Sequence, residues 1–170
     1  MPATPGALPR VLAFTDGGCR GNPGPGAWAF LLVDLASGAG LERAGGEGTT
    51  TNNRMEFTAA IEALAALRRR SEVEIRTDSK LLVDTATKWM AGWKARGWRR
   101  KGGEVENLDL VQRLDDLLGQ HQVRFTWVPG HAGVAGNEHV DALTNRAMDA
   151  IQAGRQSNIE ARYQRSPVQA

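Results

Sequence analysis

The chain has 170 residues, of which 41% are hydrophobic and 24% are charged, and its formal net charge is +2. This size suits one domain with a hydrophobic core and is too small for two ordinary domains. No apolar run reaches the length of a membrane span, no signal-peptide pattern is visible, and the single cysteine cannot form an internal disulfide, so we expect a cytoplasmic protein and exclude membrane and disulfide-framework classes.

Runs of β-branched and aromatic residues predict five strands. They lie at 10–15, 27–34, 40–46, 73–78 and 123–128. Helices are predicted after the threonines at 49–51 and up to about residue 69, over 79–90, and over 108–119 behind Asn107 as a cap. A last helix carries Val140, Leu143, Ala147 and Ile151 at steps of three and four residues. Three strands followed by alternating helices and strands predict one mixed sheet with helices packed on it.

Four acidic side chains fall at the ends of these elements. Asp16 and Asp78 follow strands, whereas Glu56 and Asp141 lie near the starts of helices. Parallel neighbouring strands place their C-terminal ends side by side, so the four carboxylates can converge at one edge of the sheet. Taken singly, each aspartate is also explained as a turn former or helix-start acid, and Glu56 as an ordinary solvated residue.

Carboxylates that share one pocket repel one another and raise one another's pKa, and divalent cations relieve this repulsion. A ligand set made only of oxygen favours Mg²⁺ or Mn²⁺ over zinc. Two such ions about 4 Å apart can activate an attacking water and stabilise the leaving oxygen of a phosphodiester. The sequence therefore predicts two Mg²⁺ ions in the substrate-bound site, with Mn²⁺ as a possible substitute.

Glycine and proline surround Asp16 in the segment TDGGCRGNPGPGAW, residues 15–28. Small residues would let a phosphate backbone approach the metal ions, whereas bulky side chains would block it. The alternative is a tight turn between two hairpin strands with no binding role.

Basic residues and tryptophans concentrate in KWMAGWKARGWRRK, residues 88–101, which holds six basic residues, three tryptophans and no acid. Lys and Arg neutralise backbone phosphates and give salt-dependent, sequence-independent affinity for nucleic acid. Trp89 and Trp93 can pack against sugars or shape a groove, and core packing is the alternative for both. Trp127 lies in a predicted strand and is assigned to structure.

Six motifs occur in a fixed order along the chain: TDGGCRGNPGPGAW, TTNNRMEFTAA, RTDSK, WKARGW, VPGHAG and GNEHVDAL. The series closely resembles type 1 ribonuclease H over about residues 10–150. The resemblance implies an α/β ribonuclease H-like fold, with a five-stranded mixed sheet (an antiparallel meander plus parallel strands) flanked by helices. It also implies an endonuclease that hydrolyses the RNA strand of RNA–DNA hybrids with two metal ions, leaving 5′-phosphate and 3′-hydroxyl ends.

The resemblance also implies the domain organisation. The catalytic domain spans 9–152 and contains a basic handle at 88–106. Residues 1–8 and 153–170 are expected to be flexible, because they are polar or rich in small residues and lack periodicity.

Catalytic roles are assigned by position in the matching motifs. Asp16, Glu56, Asp78 and Asp141 match the metal-binding acids of the family. His131 matches a mobile-loop histidine that assists proton transfer or product departure, as an imidazole titrating near neutrality can. A lone loop histidine is otherwise an ordinary surface residue.

Substrate contacts are carried over in the same way. The RNA strand would be lined by Cys19, Asn22, Asn52 and Asn53, and a DNA phosphate would be held by Thr51 and Asn107. The handle would contribute Trp89, Trp93, Lys94, Arg96, Arg99, Arg100 and Lys101. Lys80 stands where several members have a neutral residue, so we expect an electrostatic contact there. Asn52 and Asn53 are also ordinary helix-start residues, and a capping role for Thr51 is compatible with phosphate binding.

Two other functions fit the same residues. One is a hybrid-binding module without catalysis, and the other is a different nuclease of the same fold, such as a transposase or integrase. In each case we expect a monomer that binds nucleic acid and no membrane. Recruitment by a single-strand-binding protein cannot be read from the sequence.

Overall fold

The computed structural model describes residues 6–130 and 133–169. Within them the strands are β1 (Arg10–Cys19), β2 (Gly24–Asp34), β3 (Gly40–Thr50), β4 (Glu72–Thr77), β5 (Arg99–Arg100), β6 (Gly103–Glu104), β7 (Gln122–Trp127) and β8 (Ile159–Tyr163). The helices are α1 (Asn52–Ala65), α2 (Lys80–Asp84), α3 (Met90–Ala95), α4 (Leu108–Gln120) and α5 (Ala135–Gln152). A π-helical segment, Thr85–Trp89, joins α2 to α3, so the helix predicted over 79–90 is interrupted and continues farther than expected.

Six strands form one mixed sheet in the order β7-β4-β1-β2-β3-β8. The pairs β1–β4 and β4–β7 are parallel, and the pairs β1–β2, β2–β3 and β3–β8 are antiparallel. The predicted meander followed by parallel crossovers is therefore confirmed. The short strands β5 and β6 form a separate ribbon inside the predicted handle.

The central strand β1 is buried on both faces, which explains its uninterrupted apolar sequence. Val11 and Ala13 face the core beneath α1 and α4. Leu12 and Phe14 face the second core, which packs against α5. The alternation follows from the two-residue period of a strand, and it fixes helices on both sides of the position where Asp16 lies.

The C-terminal segment is part of the fold as far as residue 169, so the expectation of a flexible tail over 153–170 is wrong for β8 and for the described residues after it. β8 adds a sixth strand to the five expected, pairing with β3 from Gly40–Tyr163 to Ala44–Ile159. Val168 is 9% exposed and packs into the α5 core. These residues are ordered because they cover the β3 edge and bury apolar surface.

A buried carboxylate also holds this strand in place. Glu42 in β3 is 3% exposed. Its Oε1 atom accepts a 2.6 Å hydrogen bond from the Tyr163 hydroxyl and lies 2.9 Å from His139 Nε2. β8, β3 and α5 are thereby joined through one polar cluster.

Among the described residues, no helix is long and apolar enough to cross a membrane. The first five positions of the segment expected to be flexible, 1–8, lie outside the described residues, as does His131.

Candidate active site

Asp16 and Asp78 lie at the carboxyl ends of two parallel strands. The parallel pairing of β1 with β4 reaches Phe14 and Arg76, with Asp16 just beyond it and Asp78 directly after β4. β1 itself continues to Cys19 because it remains paired with β2. Asp16 is therefore inside a strand rather than after one, but it still lies at the edge where the parallel strands end.

Gly17 allows α1 to lie directly against β1. A Cβ atom at Gly17 would overlap the Met55 carbonyl and lie 2.6 Å from the Glu56 backbone nitrogen. This close approach brings the Glu56 turn of α1 next to Asp16. The Glu56 carboxylate is then held by Ser79, whose hydroxyl donates a 2.6 Å hydrogen bond to Oε2.

Gly136 allows α5 to lie directly against β1 on the other face of the sheet. A Cβ atom there would overlap the Phe14 ring, so only glycine lets the helix begin against β1. Asp141 follows in the second turn of α5, partly buried. Thr144, on the same helix, lies beside Asp16 and lowers its pKa.

The pKa of Asp16 responds to the charges of the other three acids. Its pKa is raised from 3.8 to about 7, mainly by burial, and the neighbouring Thr144 side chain opposes this rise. The negative charges of Asp78, Asp141 and Glu56 each contribute a smaller part of the same rise. The predicted convergence of these carboxylates is thus supported by the charges that Asp16 experiences.

Glu56 is affected in the same direction. Burial raises its pKa, the Ser79 hydroxyl lowers it, and the Asp78 charge raises it. Two neighbouring carboxyl groups therefore resist ionisation in the protein without ligands. A bound cation would favour the ionised form of both.

The donor set fits Mg²⁺ because it consists of carboxylate oxygens at a half-open edge of the sheet. Within residues 6–130 and 133–169, however, no three His, Cys, Asp or Glu side chains are grouped closely enough to hold a metal ion by themselves. Mg²⁺ keeps several waters and takes ligands from substrate phosphates, so a site of this kind is compatible with it. Zinc, which prefers a closed set of three or four side chains, is not favoured.

Three residues that hold the acids were not found from the sequence. Ser79 is the N-cap of α2, accepting from the Leu82 amide at 3.1 Å while donating to Glu56. Thr144 lies beside Asp16, and its hydroxyl donates a 2.8 Å hydrogen bond to the Val140 carbonyl. The Trp127 indole donates a 3.1 Å hydrogen bond to the Asp78 backbone carbonyl and remains 49% exposed. Ser79 directly follows Asp78, and Thr144 lies one helix turn after Asp141, whereas Trp127 is 49 positions from Asp78 in the sequence.

The residues assigned to the RNA strand surround the glycine-rich loop between β1 and β2. Cys19 is partly buried, with its Sγ among three backbone carbonyls, the nearest being that of Gly21 at 2.7 Å. The Asn52 amide donates a 3.2 Å hydrogen bond to Asn22 Oδ1. The loop and the start of α1 therefore form one surface, with Asn53 exposed beside it.

The two residues assigned to a DNA phosphate are joined through Arg54. The Thr51 hydroxyl caps α1 by accepting from the Arg54 amide at 3.2 Å. Asn107 precedes α4 in the left-handed conformation without a side-chain cap, and its Oδ1 accepts from Arg54 Nη1 at 3.4 Å. A bidentate pair of Arg54 with Asp109, at 3.0 and 2.7 Å, ties the starts of α1 and α4 together.

Two tryptophans of the handle, Trp89 and Trp93, line a groove of about 310 Å³ between α1 and the handle. Trp89 is 42% exposed, and its ring centroid lies 5.9 Å from that of Trp93. Asn53 and Asn107 line the same groove. Trp93 also packs against the core, so both interpretations of the tryptophans apply to it.

The basic residues of the handle divide into two groups. Lys88 and Lys94 are ion-paired with Asp84 and Asp115, at 3.3 and 2.9 Å, and Arg100 is paired with Glu106 at 3.0 Å. The described residues offer no carboxylate partner within ion-pair distance of Arg96, Arg99 or Lys101, all of which are exposed. Lys80 is also exposed, at the start of α2 beside Asp78.

The sequence profile of RNase H matches residues 9–149. The chain belongs to the RNase H family. It is 49% identical to a ribonuclease H of Methylorubrum extorquens (strain PA1) over 87% of this chain, although it spans only 64% of that relative. It is 48% identical to a ribonuclease H of Pseudomonas putida (strain W619), over 85% of this chain and 97% of that protein.

Solved RNase H structures share the fold. One is LC9-RNase H1, described as a type 1 RNase H with the type 2 active-site motif, with a TM-score of 0.77, 34% identity, and coverage of 91% of this chain and 78% of that one. Another is LC11-RNase H1 in complex with an RNA/DNA hybrid, with a TM-score of 0.65, 28% identity, and coverage of 82% and 96%. The resemblance to type 1 RNase H seen in the sequence is confirmed.

The raised pKa of Asp16 predicts a pH-dependent change in stability for Asp16→Asn. Between about pH 4 and pH 7 the folded protein keeps a proton on Asp16 that the unfolded chain has lost, so this carboxyl destabilises the fold increasingly as pH rises. Asn cannot ionise, and the variant should melt higher than the parent in chelator, by about 2–4 °C for each kcal/mol relieved. The gain should be larger at pH 8 than at pH 5.

Thermal unfolding followed by circular dichroism measures this difference. The exposed acid Asp116 on α4 provides the control, since Asp116→Asn should not show the same dependence on pH. A gain for Asp16→Asn that is equal at both pH values, or absent at pH 8, would show that the carboxyl is not held in a repulsive, buried site.

Proposed function

We propose that this RNase H is a metal-dependent endonuclease that cleaves the RNA strand of RNA–DNA hybrids. The observation that carries the proposal is the position of Asp16, whose pKa is raised by burial and by the charges of Asp78, Asp141 and Glu56. An arrangement that repels its own charges is unfavourable unless it serves a bound cation. The relative bound to an RNA/DNA hybrid supports the choice of substrate.

Asp16, Glu56, Asp78 and Asp141 would hold two Mg²⁺ ions, with Mn²⁺ as a possible substitute. Such ions supply activation of the attacking water and stabilisation of the leaving oxygen, and the products would carry 5′-phosphate and 3′-hydroxyl ends. The protein contributes the positions of the oxygen atoms. Ser79 fixes Glu56 Oε2, and the Trp127 indole holds the backbone at Asp78.

His131 would transfer a proton or assist product departure, as its motif suggests. It lies outside the described residues, so its role rests on the sequence alone. Gly130, the residue before it, would place a Cβ atom 3.1 Å from Asp78 Oδ2. The chain thus passes directly beside the acids immediately before His131.

Discrimination of the two strands would come from two sets of residues around the start of α1. Cys19, Asn22, Asn52 and Asn53 would line the minor groove, where the 2′-hydroxyl groups of RNA are exposed. The DNA strand would follow the groove lined by Trp89 and Trp93, with a phosphate near Thr51 and Asn107. Arg54 would preserve the spacing of this pocket.

Exposed cations of the handle would add sequence-independent affinity. Arg96, Arg99 and Lys101 are best placed for this, whereas Lys94 and Arg100 would first have to leave their carboxylate partners. We also propose a monomer that works in the cytoplasm, which remains a prediction from the sequence.

The test is a side-by-side assay on a labelled hybrid, duplex RNA and duplex DNA, with Mg²⁺ or with chelator. The parent should cleave only the RNA of the hybrid and should be inactive in chelator. Asp78→Asn should lower the rate by at least about 100-fold, because it removes a proposed metal ligand. Asp116→Asn, an exposed acid away from the site, serves as the matched control.

Other outcomes identify other functions. Tight binding of the hybrid without cleavage in Mg²⁺ and Mn²⁺ would indicate a non-catalytic binding module. Cleavage of duplex DNA would indicate a nuclease of another specificity. Unchanged activity in Asp78→Asn would contradict the assignment of the acids.

The handle predicts a second, quantitative result. Replacing Arg99 and Lys101 with Gln should raise KM more than it lowers kcat and should reduce the slope of log affinity against log salt by about two. The control is the Lys88→Gln/Lys94→Gln variant, which removes the same charge from residues that are already ion-paired. Filter binding at several salt concentrations measures the slope, and equal effects of the two variants would contradict a special role for the unpaired cations.

A further inference from the structure

Arg20 connects the glycine-rich loop to α5 across 129 positions of the sequence. Its Nη1 atom donates to Asp149 Oδ1 at 2.7 Å and to Gln152 Oε1 at 2.5 Å. Its Nη2 atom donates to Asn145 Oδ1 at 3.3 Å. One guanidinium therefore reaches both the C-terminal turns of α5 and a residue in the middle of that helix.

Asn145 in turn contacts the acid Asp141, one helical turn earlier. Its Nδ2 atom donates to the Asp141 backbone carbonyl at 3.0 Å and to Oδ2 of the same residue at 3.4 Å. Because Arg20 can only donate, it fixes the amide oxygen of Asn145 toward itself and the amide nitrogen toward the carboxylate. Without Arg20, the orientation of the Asn145 side chain would depend only on its two contacts with Asp141.

The loop end of this connection carries residues assigned to the RNA strand. The Arg20 amide donates to the Pro25 carbonyl at 2.7 Å, which closes the loop. Cys19, the last residue of β1, and Asn22, in the loop itself, lie on either side of Arg20. The Arg20 side chain therefore links this loop directly to the helix that carries Asp141.

We propose that Arg20 and Asn145 are positioning residues that orient the Asp141 carboxylate for metal binding and couple this orientation to the RNA-contacting loop. The inference rests on the proposed function, because it takes Asp141 as a metal ligand and the loop as the RNA-binding surface. Arg20 acts through Asn145 and does not itself touch the reacting atoms. Residues of this kind that orient a ligand commonly alter metal affinity by 10-fold to 100-fold.

A purely structural role can be separated from positioning by a matched ion pair. The Arg20–Asp149 pair is 2.7 Å long with side-chain exposures of 34% and 58%, and the Arg43–Glu160 pair is 2.8 Å long with 35% and 51%. Both pairs link elements distant in sequence, and exposed pairs contribute little to stability. Arg43, however, contacts no residue of the acid cluster, so Arg43→Gln is the control for Arg20→Gln.

The direction in which Mn²⁺ affinity changes when Arg20 is replaced distinguishes a positioning role from a purely electrostatic effect of its charge. Removal of a cation near the acids should by electrostatics alone tighten the binding of Mn²⁺. Loss of orientation should weaken it. Arg20→Lys keeps the charge but cannot bridge Asn145 and Asp149 with a planar fork, so it should behave like Arg20→Gln.

Binding of Mn²⁺ to the protein without substrate is measured by the electron paramagnetic resonance signal of the free ion. We expect about tenfold weaker binding in Arg20→Gln, Arg20→Lys and Asn145→Ala, and binding within twofold of the parent in Arg43→Gln. The double variant Arg20→Gln/Asn145→Ala should be no weaker than either single variant, because both act on the same carboxylate. The Mg²⁺ concentration for half-maximal hybrid cleavage should rise in the same order.

Mn²⁺ affinity in Arg20→Gln that is equal to or tighter than in Arg43→Gln would overturn the inference, as would additive effects in the double variant. Circular dichroism melting curves show whether each variant is folded, and Arg20→Lys tests the inference if Arg20→Gln is not. Failure of the proposed function is a separate result, because it would appear as a parent protein that does not cleave the hybrid at all.

Discussion

The burial of Asp16, together with repulsion from three neighbouring carboxylates, is the constraint on which the rest of the structure depends. A carboxyl whose pKa is about 7 is held in its charged form only at a cost, and its neighbours increase that cost. The unfavourable free energy of ionising Asp16 is localised at the edge of the sheet where the parallel pairing of β1 and β4 ends. A divalent cation reverses it, so the same geometry that destabilises the protein without ligands prepares it to bind metal.

Backbone positions without side chains make this geometry possible. Gly17 brings α1 against one face of β1, and Gly136 brings the start of α5 against the Phe14 ring on the other. Glu56 and Asp141 thereby approach Asp16 from opposite sides of the sheet. The glycine-rich sequence near Asp16 therefore serves helix packing at Gly17 in addition to any approach of substrate.

The strand pattern and the identity of the acids could be predicted from the sequence, because periodicity and motif order are local properties. The strand β8 could not be predicted, although Ile159, Ala161 and Tyr163 alternate with exposed residues. Its partner strand β3, which carries Glu42, is remote in sequence. Asp16 lies inside β1 rather than after it, since the antiparallel pairing with β2 outlasts the parallel pairing with β4.

The residues that hold the acids are even less accessible to sequence analysis. Ser79 was visible only as a polar residue after Asp78, and Asn145 only as one more polar position on α5. Their functions arise from tertiary contacts, with Glu56 Oε2 in one case and with Asp141 and Arg20 in the other. The motifs identify the acids, and these contacts hold the carboxylate oxygens of the acids in defined positions.

The most direct test of this account is the titration of the Asp16 side chain, followed by the ¹³Cγ chemical shift of labelled protein with and without Mg²⁺. Without metal the carboxyl should titrate with a pKa of about 7, and saturating Mg²⁺ should move the midpoint to markedly lower pH because the cation favours the ionised form. A midpoint near the ordinary value of 3.8, or one that Mg²⁺ leaves unchanged, would contradict a shared carboxylate site built to bind cations.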